Sequence, residues 1–155
     1  MMQLYWSSFV AMLAAVLFVA APYAAVAQSD DDRRLVLIAS GDSGITALSA
    51  AEIRKLFLGV VVEQQGRSLV ALRNQTDPVL HEVFLQKVMF MSGPMYERTL
   101  LTRLLRTKAT RPEAYDSEPA LLQALHTNPG AVTYMWADRA AELPDLRVVV
   151  ELWRE

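Results

Sequence analysis

The positions of apolar and polar residues along the chain predict strands that alternate with amphipathic helices. Residues 35–39 form the apolar run Leu-Val-Leu-Ile-Ala, which is typical of a buried strand, and small polar residues follow at 40–44. Three more segments have strand composition: residues 68–73, 131–136 and 146–152. Because helical patterns separate these strands, we predict an α/β fold in which helices pack on a sheet.

The clearest helix prediction falls on residues 48–59, LSAAEIRKLFLG. Ser49 and Glu52 have the spacing of a capping box, in which each side chain accepts a hydrogen bond from the other residue's backbone amide. Gly59 follows the last apolar position and can end the helix in a left-handed turn. We therefore expect a helix that begins after Ser49 and ends before Gly59.

Further helices follow from apolar residues at helical spacing. One begins at Asp77-Pro78, because aspartate is a good N-cap and proline is favoured at the first helical position. Its predicted buried face carries Leu80, Phe84, Val88 and Met91. A third helix is predicted from Met95 to Thr107, with the inward residues Leu100, Leu101, Leu104 and Leu105. A fourth is predicted with the core residues Leu121, Leu122 and Leu125, and residues 136–142 predict a short fifth.

The N-terminal part of the chain has the pattern of an export signal. Residues 1–27 carry no charged side chain, and their apolar run at 9–21 is short for a bilayer span. A small-x-small pattern that a signal peptidase can cut ends at Ala27. We expect a signal peptide removed after Ala27, a flexible lead-in at 28–34 and an exported domain at 35–155. An uncleaved membrane anchor is the alternative.

Composition argues against several functional classes. The chain of 155 residues has a formal net charge of −2, which argues against nucleic acid as a partner. It has no cysteine, which excludes a disulfide framework and a thiolate metal site. His81 and His126 are far apart and lack a second ligand at metal spacing, so we predict no metal site. No Gly-rich loop of the nucleotide-binding type is present, and we predict no cofactor.

The loop after the first predicted strand carries a motif that resembles a protease nucleophile. Its sequence GDSG, residues 41–44, matches the nucleophile motif of chymotrypsin-like proteases, but no histidine precedes Ser43 to serve as the base. No other set of nucleophile, base and orienting group can be assembled, so we predict no enzyme. Loops that follow strands are where α/β sheets bind ligands, which makes the Ser43 hydroxyl and the Gly44 amide candidate ligand contacts.

The order of three segments resembles the periplasmic phosphate-binding proteins that feed ABC transporters. These segments are LSAAEIRKLFLG at 48–59, RNQTDPVLHEVF at 73–84 and NPGAVTYMW at 128–136, within a resemblance that covers residues 35–152. It is nearest to the short, single-lobe members of that group. The resemblance implies a single lobe of the type II periplasmic binding protein-like fold, with a mixed sheet flanked by helices. It also implies phosphate or another small anion as the ligand.

The same resemblance points to a candidate ligand site. An arginine is implied as the charge partner of the anion, with hydroxyls and amides around it. The candidate ligand-binding residues are Arg73, Thr76, Ser43, Gly44, Asp77 and Tyr134. Two departures argue against tight binding. One lobe cannot engulf a ligand alone, and Asp77-Pro78 places a carboxylate and a residue without an amide hydrogen where the family has small residues.

A basic stretch near the third helix offers a second kind of site. An amphipathic helix needs a polar face, and the simplest interpretation is that these charges form its solvated face. The alternative is a contact surface for an acidic partner, formed by Arg98, Arg103, Arg106 and Arg111. Two functional hypotheses therefore stand. The protein is either a solute-binding component of transport that holds a small anion weakly, or a periplasmic interaction module for a membrane transporter or sensor that has lost ligand binding.

Overall fold

The computed structural model describes residues 33–107 and 109–155. The predicted signal peptide therefore lies outside the described residues. The first strand begins at Arg34 and is buried from Leu35 to Ser40, as the apolar run predicted. Within the described ranges, no helix has both the length and the apolar character that crossing a bilayer requires.

The described residues form strands and helices in an alternating order. The strands are β1 (Arg34–Ser40), β2 (Glu63–Gln64), β3 (Arg67–Ser68), β4 (Val70–Asn74), β5 (Glu113–Tyr115), β6 (Ala131–Trp136) and β7 (Leu146–Arg154). The α-helices are α1 (Ala50–Phe57), α2 (Pro78–Phe84), α3 (Gly93–Thr107), α4 (Glu118–Thr127) and α5 (Ala137–Ala141), and a π-helix (Leu85–Met89) follows α2 directly. Of these elements, β2, β5 and the π-helix have no counterpart among the strands and helices predicted from the sequence.

The sheet of the described residues is mixed, as the predicted fold class requires. Its strand order is β5-β4-β6-β1-β7, while β2 and β3 form a separate hairpin. β4 pairs in parallel with β5 and β6, whereas β1 pairs antiparallel with β6 and β7. The register places Leu35 opposite Trp136 and Ala39 opposite Val132. Because β1 runs against β4 and β6, the loop after β1 lies at the opposite end of the sheet from the loops after those two strands.

Helix α1 has the ends that its sequence predicted. Both hydrogen bonds of the capping box are present: the Ser49 amide donates to the Glu52 carboxylate at 2.8 Å, and the Glu52 amide donates to the Ser49 hydroxyl at 3.3 Å. Gly59 follows the helix with a φ of 76°. A Cβ at Gly59 would overlap the carbonyl oxygen of Thr110. Both this overlap and the positive φ exclude any side chain at this position.

Helices cover both faces of the sheet. On one face lie α1, α2, the π-helix and α3, with the fully buried aromatic residues Phe57, Phe84, Tyr96 and Tyr134. On the other face α4 packs on the sheet, and its core is built around Leu72, Leu121, Leu125 and Met135. The predicted core position Leu122 is only partly buried. Two layers of helices around one sheet give the sandwich that the alternating pattern predicted.

Helix α3 buries only part of the predicted stripe: Leu100 is buried and Leu104 is partly buried, as predicted. Tyr96 and Leu100 are its buried residues, and the Tyr96 hydroxyl donates to the carbonyl oxygen of Phe57 at 2.6 Å. Leu101 and Leu105 were predicted to face inward, but they are 56% and 81% exposed. The stripe begins at Tyr96, and the positions four residues apart that share its face exclude both leucines. The prediction for Leu101 and Leu105 was therefore wrong.

The helix predicted after Asp77 changes its geometry midway. α2 ends at Phe84, and the π-helix from Leu85 to Met89 carries the chain on to Phe90. Leu80, Phe84 and Val88 are buried as predicted, while Met91 is only partly buried. Phe90 has a φ of 56° and a ψ of 40°, which is the left-handed region that a bulky side chain rarely adopts.

Candidate functional site

The six candidate ligand-binding residues do not converge on one site. They fall into four separate places: a cavity at the carboxyl ends of β4 and β6, an ion-pair cluster beneath α3, the core of the domain, and the far end of the sheet. The separation follows from the strand directions and from the alternation of side chains along β4.

Asp77 caps the start of α2 with its own carboxylate. Its Oδ1 accepts hydrogen bonds from the amides of Val79, at 2.8 Å, and Leu80, at 3.3 Å, and its Oδ2 accepts one from the indole Nε1 of Trp136 at 2.9 Å. Burial alone would raise the pKa of Asp77, but the hydrogen bonds from Trp136 and the two amides outweigh it and hold the pKa below its ordinary value. The carboxylate is therefore ionised at neutral pH and occupies the amide donors at the start of α2.

Thr76 and Asp77 line a cavity of about 480 Å³ at this end of the sheet. Its wall is formed by Asn74, Thr76, Asp77, Leu80, Asp116, Glu118, Met135, Trp136 and Arg139. Arg139 is the cation of this wall, and it is held by Glu118 and Glu142. These two carboxylates outweigh the charge of Arg139. Asp77 and Asp116 add further negative charge, so the cavity disfavours an anion.

Asn74 organises the turn after β4, although the sequence analysis did not single it out. It is 1% exposed, and its Nδ2 donates to the carbonyl oxygen of Tyr134 at 3.0 Å. Its Oδ1 accepts from the amide of Thr76 at 3.0 Å and from the Thr76 hydroxyl at 2.7 Å. The Thr76 hydroxyl is therefore committed to the turn. An asparagine whose side chain bonds the backbone two residues ahead is a known turn former, which is the signal that could have identified it.

Arg73 lies on the opposite side of β4 from this cavity. Successive strand residues point to opposite faces, so Arg73 and Asn74 cannot share a site. The guanidinium is 5% exposed and donates through Nε to the carbonyl oxygen of Pro112 at 3.0 Å and through Nη1 to Glu97 Oε1 at 2.7 Å. Arg111 pairs with the other oxygen of Glu97. The predicted charge partner for an anion is thus already paired with a carboxylate of α3, which it shares with Arg111.

Tyr134 belongs to the core and not to the wall of the cavity. It is fully buried, and its ring stacks on Phe84 with centroids 3.8 Å apart. Its hydroxyl lies 2.7 Å from Nδ1 of His81. Burial raises the pKa of Tyr134, and it lowers the pKa of His81, an effect that the nearby Arg73 reinforces. The pair is therefore neutral at pH 7.

Ser43 and Gly44 lie at the far end of the sheet. They line a small cavity of about 210 Å³ together with the β2–β3 hairpin. The Arg67 guanidinium donates to the Ser43 carbonyl oxygen at 2.7 Å, and the Ser43 hydroxyl accepts from the Ile45 amide at 3.3 Å. Gln64 fastens the same loop by accepting from the amide of Thr46 at 2.7 Å. These contacts join the loop to the hairpin, and they leave Ser43 and Gly44 remote from Asp77.

The four arginines of the predicted contact surface have different environments. Arg98 and Arg106 are exposed on α3, Arg103 is partly buried, and Arg111 belongs to the pair with Glu97. The two exposed arginines share the outer side of α3 with the exposed Leu101 and Leu105 described above.

Comparison with known proteins finds solved structures with a similar fold. No family model matches the chain, and no curated protein matches it. A solved structure described as a possible phosphate binding protein from Planctomyces limnophilus DSM 3776 is similar with a TM-score of 0.50 and 14% identity. The match covers 76% of this chain and 40% of that one. An ABC-type phosphate transport receptor from Vibrio cholerae gives a TM-score of 0.48 at 11% identity, over 76% of this chain and 45% of that one.

At this identity the first match shows the fold alone. The chain spans less than half the length of either solved protein. Together with the mixed sheet and its two helical layers, the match confirms the predicted α/β architecture of a single periplasmic-binding-protein-like lobe.

Proposed function

We propose that this protein is an exported, non-enzymatic module of the solute-binding type that holds phosphate or a similar anion only weakly. In this proposal it serves a membrane transporter or sensor mainly through contact with another protein. The single lobe supports weak solute binding combined with contact to another protein. In this proposal the chain supplies one of the two surfaces that close over a solute, because its match covers 40% of the length of the Planctomyces protein.

The observation that carries the proposal is the position of Asp77. The resemblance to phosphate-binding proteins implies that this segment contacts the anion. Here the carboxylate holds the amides of Val79 and Leu80 and the indole of Trp136. Backbone amides at a helix start attract an anion, and an ionised aspartate already satisfies them. A phosphate at the same place would meet a like charge in a partly desolvated cavity.

Calorimetric titration with phosphate tests this proposal. We expect the purified protein to bind phosphate no more tightly than about 1 mM, and Asp77→Asn to bind about tenfold more tightly because the opposing charge is gone while the cap remains. Asp138→Asn is the matched control, since it removes one exposed carboxylate that does not line the cavity. Micromolar binding by the wild type, or equal affinities for the two variants, would contradict the role given to Asp77.

The outer side of α3 is the surface we propose for the protein contact. Arg98 and Arg106 offer planar donors for carboxylates, and Leu101 and Leu105 add apolar area that is 56% and 81% exposed. Crosslinking in intact cells should capture a membrane protein with the wild type. The capture should be lost with Arg98→Glu/Arg106→Glu. Lys55→Glu reverses an exposed charge on α1 and should leave the capture unchanged. Equal capture by all three proteins would remove α3 as the contact surface.

A further inference from the structure

A third cavity lies between α1, the π-helix and the edge strand β7. Its volume is about 190 Å³, which is the volume that roughly six molecules occupy in liquid water. Its wall is formed by Leu48, Ala50, Ile53, Arg54, Lys87, Val88, Phe90, Val150, Glu151 and Leu152. The sequence analysis assigned no role to this group, and it shares no residue with the cavity of Asp77.

The floor of the cavity is apolar and its rim is cationic. Leu48, Ile53 and Val88 are each no more than 5% exposed. Arg54 lies over the ring of Phe90, with its guanidinium carbon 5.6 Å from the ring centroid, and Lys87 lies 5.7 Å from the ring of Trp153. No carboxylate of the described residues forms an ion pair with either cation.

Glu151 is the acid in this wall, and it is already engaged. Arg34 lies 3.9 Å from its carboxylate, and Arg154 lies 3.2 Å from it. The charge of Glu151 is therefore balanced from β1 and from its own strand. Arg54 and Lys87 leave the rim with an excess of positive charge directly above an apolar floor, which suits a ligand that has an anionic head and an apolar body.

Phe90 gives the cavity an unusual aromatic edge. It follows the π-helix with a φ of 56°, and its side chain is 71% exposed. A left-handed backbone is strained for a bulky residue, and glycine or asparagine would end the helix with less strain. Burial does not compensate for the strain, because most of the ring is in solvent. Strained backbone and π-helical turns both concentrate at functional sites.

We propose that this cavity binds a small monocarboxylate with a branched or aromatic tail. The tail enters between Ile53 and Val88, the carboxylate is held by Arg54 and Lys87, and the ring of Phe90 covers the ligand. The volume limits the ligand to a body about the size of phenylacetate or isovalerate. This site is independent of the phosphate position and of the contact surface on α3.

Calorimetry with phenylacetate and its neutral analogue phenylacetamide tests the proposal. Phenylacetate should bind saturably, and phenylacetamide should bind about tenfold more weakly because it lacks the charged acceptor. Arg54→Gln and Lys87→Gln should each weaken phenylacetate binding about fivefold without changing the affinity for phenylacetamide. Lys55→Gln removes a neighbouring cation of α1 that does not line the cavity, and it should have no effect.

Phe90→Gly separates a binding role from a structural one. The melting temperature should rise by a few degrees because glycine tolerates the left-handed backbone, while phenylacetate binding falls at least about fivefold. Absence of saturable binding, equal affinity for the acid and the amide, or equal effects of Lys87→Gln and Lys55→Gln would overturn the proposal. A Phe90→Gly protein that changes only its self-association in sedimentation would assign the cavity to a second copy of the chain instead.

Discussion

Replacing Asp77 by alanine should destabilise the domain by about 2 kcal/mol. The substitution removes the N-cap of α2, for which about 1 kcal/mol is typical. It also removes the acceptor of the Trp136 indole, and a hydrogen bond to a charged group contributes about 1.5 kcal/mol. Because Asp77 is only partly buried, water can replace part of both contributions, and we expect the sum to lie slightly below their total.

Asp77→Asn should cost about 1 kcal/mol, and its cost should depend on pH. Asparagine caps helices as well as aspartate does, but its amide nitrogen is a donor and cannot accept the indole hydrogen of Trp136. The pKa of Asp77 is lowered in the folded protein, so its contribution is complete above the unfolded value of about 3.8. The contribution is lost as the pH falls through the lower folded pKa. The difference between wild type and Asp77→Asn should therefore shrink towards pH 2.

Urea unfolding followed by tryptophan fluorescence measures these differences. The free energy of unfolding should be determined for the wild type and both variants at pH 7 and at pH 2–3. Asp138→Ala serves as the control in the first turn of α5, where its exposed carboxylate should contribute less than about 0.5 kcal/mol. An Asp77→Ala cost no larger than that of the control, or a wild-type advantage over Asp77→Asn that stays constant with pH, would refute the reasoning.

Two further pairs of substitutions test the packing of the domain. Glu97→Ala should lower the free energy of unfolding in urea by about 2 kcal/mol, because it leaves the buried guanidinium of Arg73 without its carboxylate. Arg111→Ala in the same cluster should lower it by less than about 1 kcal/mol. Equal costs would mean that the burial of Arg73 is unimportant. Gly59→Ala should cost more than about 3 kcal/mol, and Gly66→Ala, with a similar φ of 74° but open space around it, about 1 kcal/mol. Similar melting temperatures for the two alanine variants would show that the carbonyl overlap at Gly59 is relieved without cost.

Elements defined by local chemistry could be predicted from the sequence. α1 is the clearest case, since Ser49, Glu52 and Gly59 each determine the local backbone through contacts within a few residues. Asp77 was likewise identified as a cap, and the structure adds that Trp136, far along the chain, holds its second oxygen. Local signals thus determined where these helices begin and end.

The composition of the candidate site could not be predicted, because it depends on strand direction and on long-range pairing. Ser43 and Thr76 both follow strands, yet β1 runs against β4 and places them at opposite ends of the sheet. Arg73 is paired with Glu97 of α3, a contact between residues 24 positions apart that no periodicity indicates. The wrong face of α3 has the same origin. Its four leucines allow two apolar stripes, and only packing against the sheet selects the one with Leu100.

The π-helix after α2 gives a way to sort related chains by length alone. A π-helical turn contains one residue more than an α-helical turn, so deleting one residue between Phe84 and Phe90 would restore regular α-helical hydrogen bonding. The wider turn lies directly before Phe90, whose left-handed backbone ends the helix beside β7. Among chains with this fold, those that keep the additional residue should also keep an aromatic at the position of Phe90, and those that lack it should not.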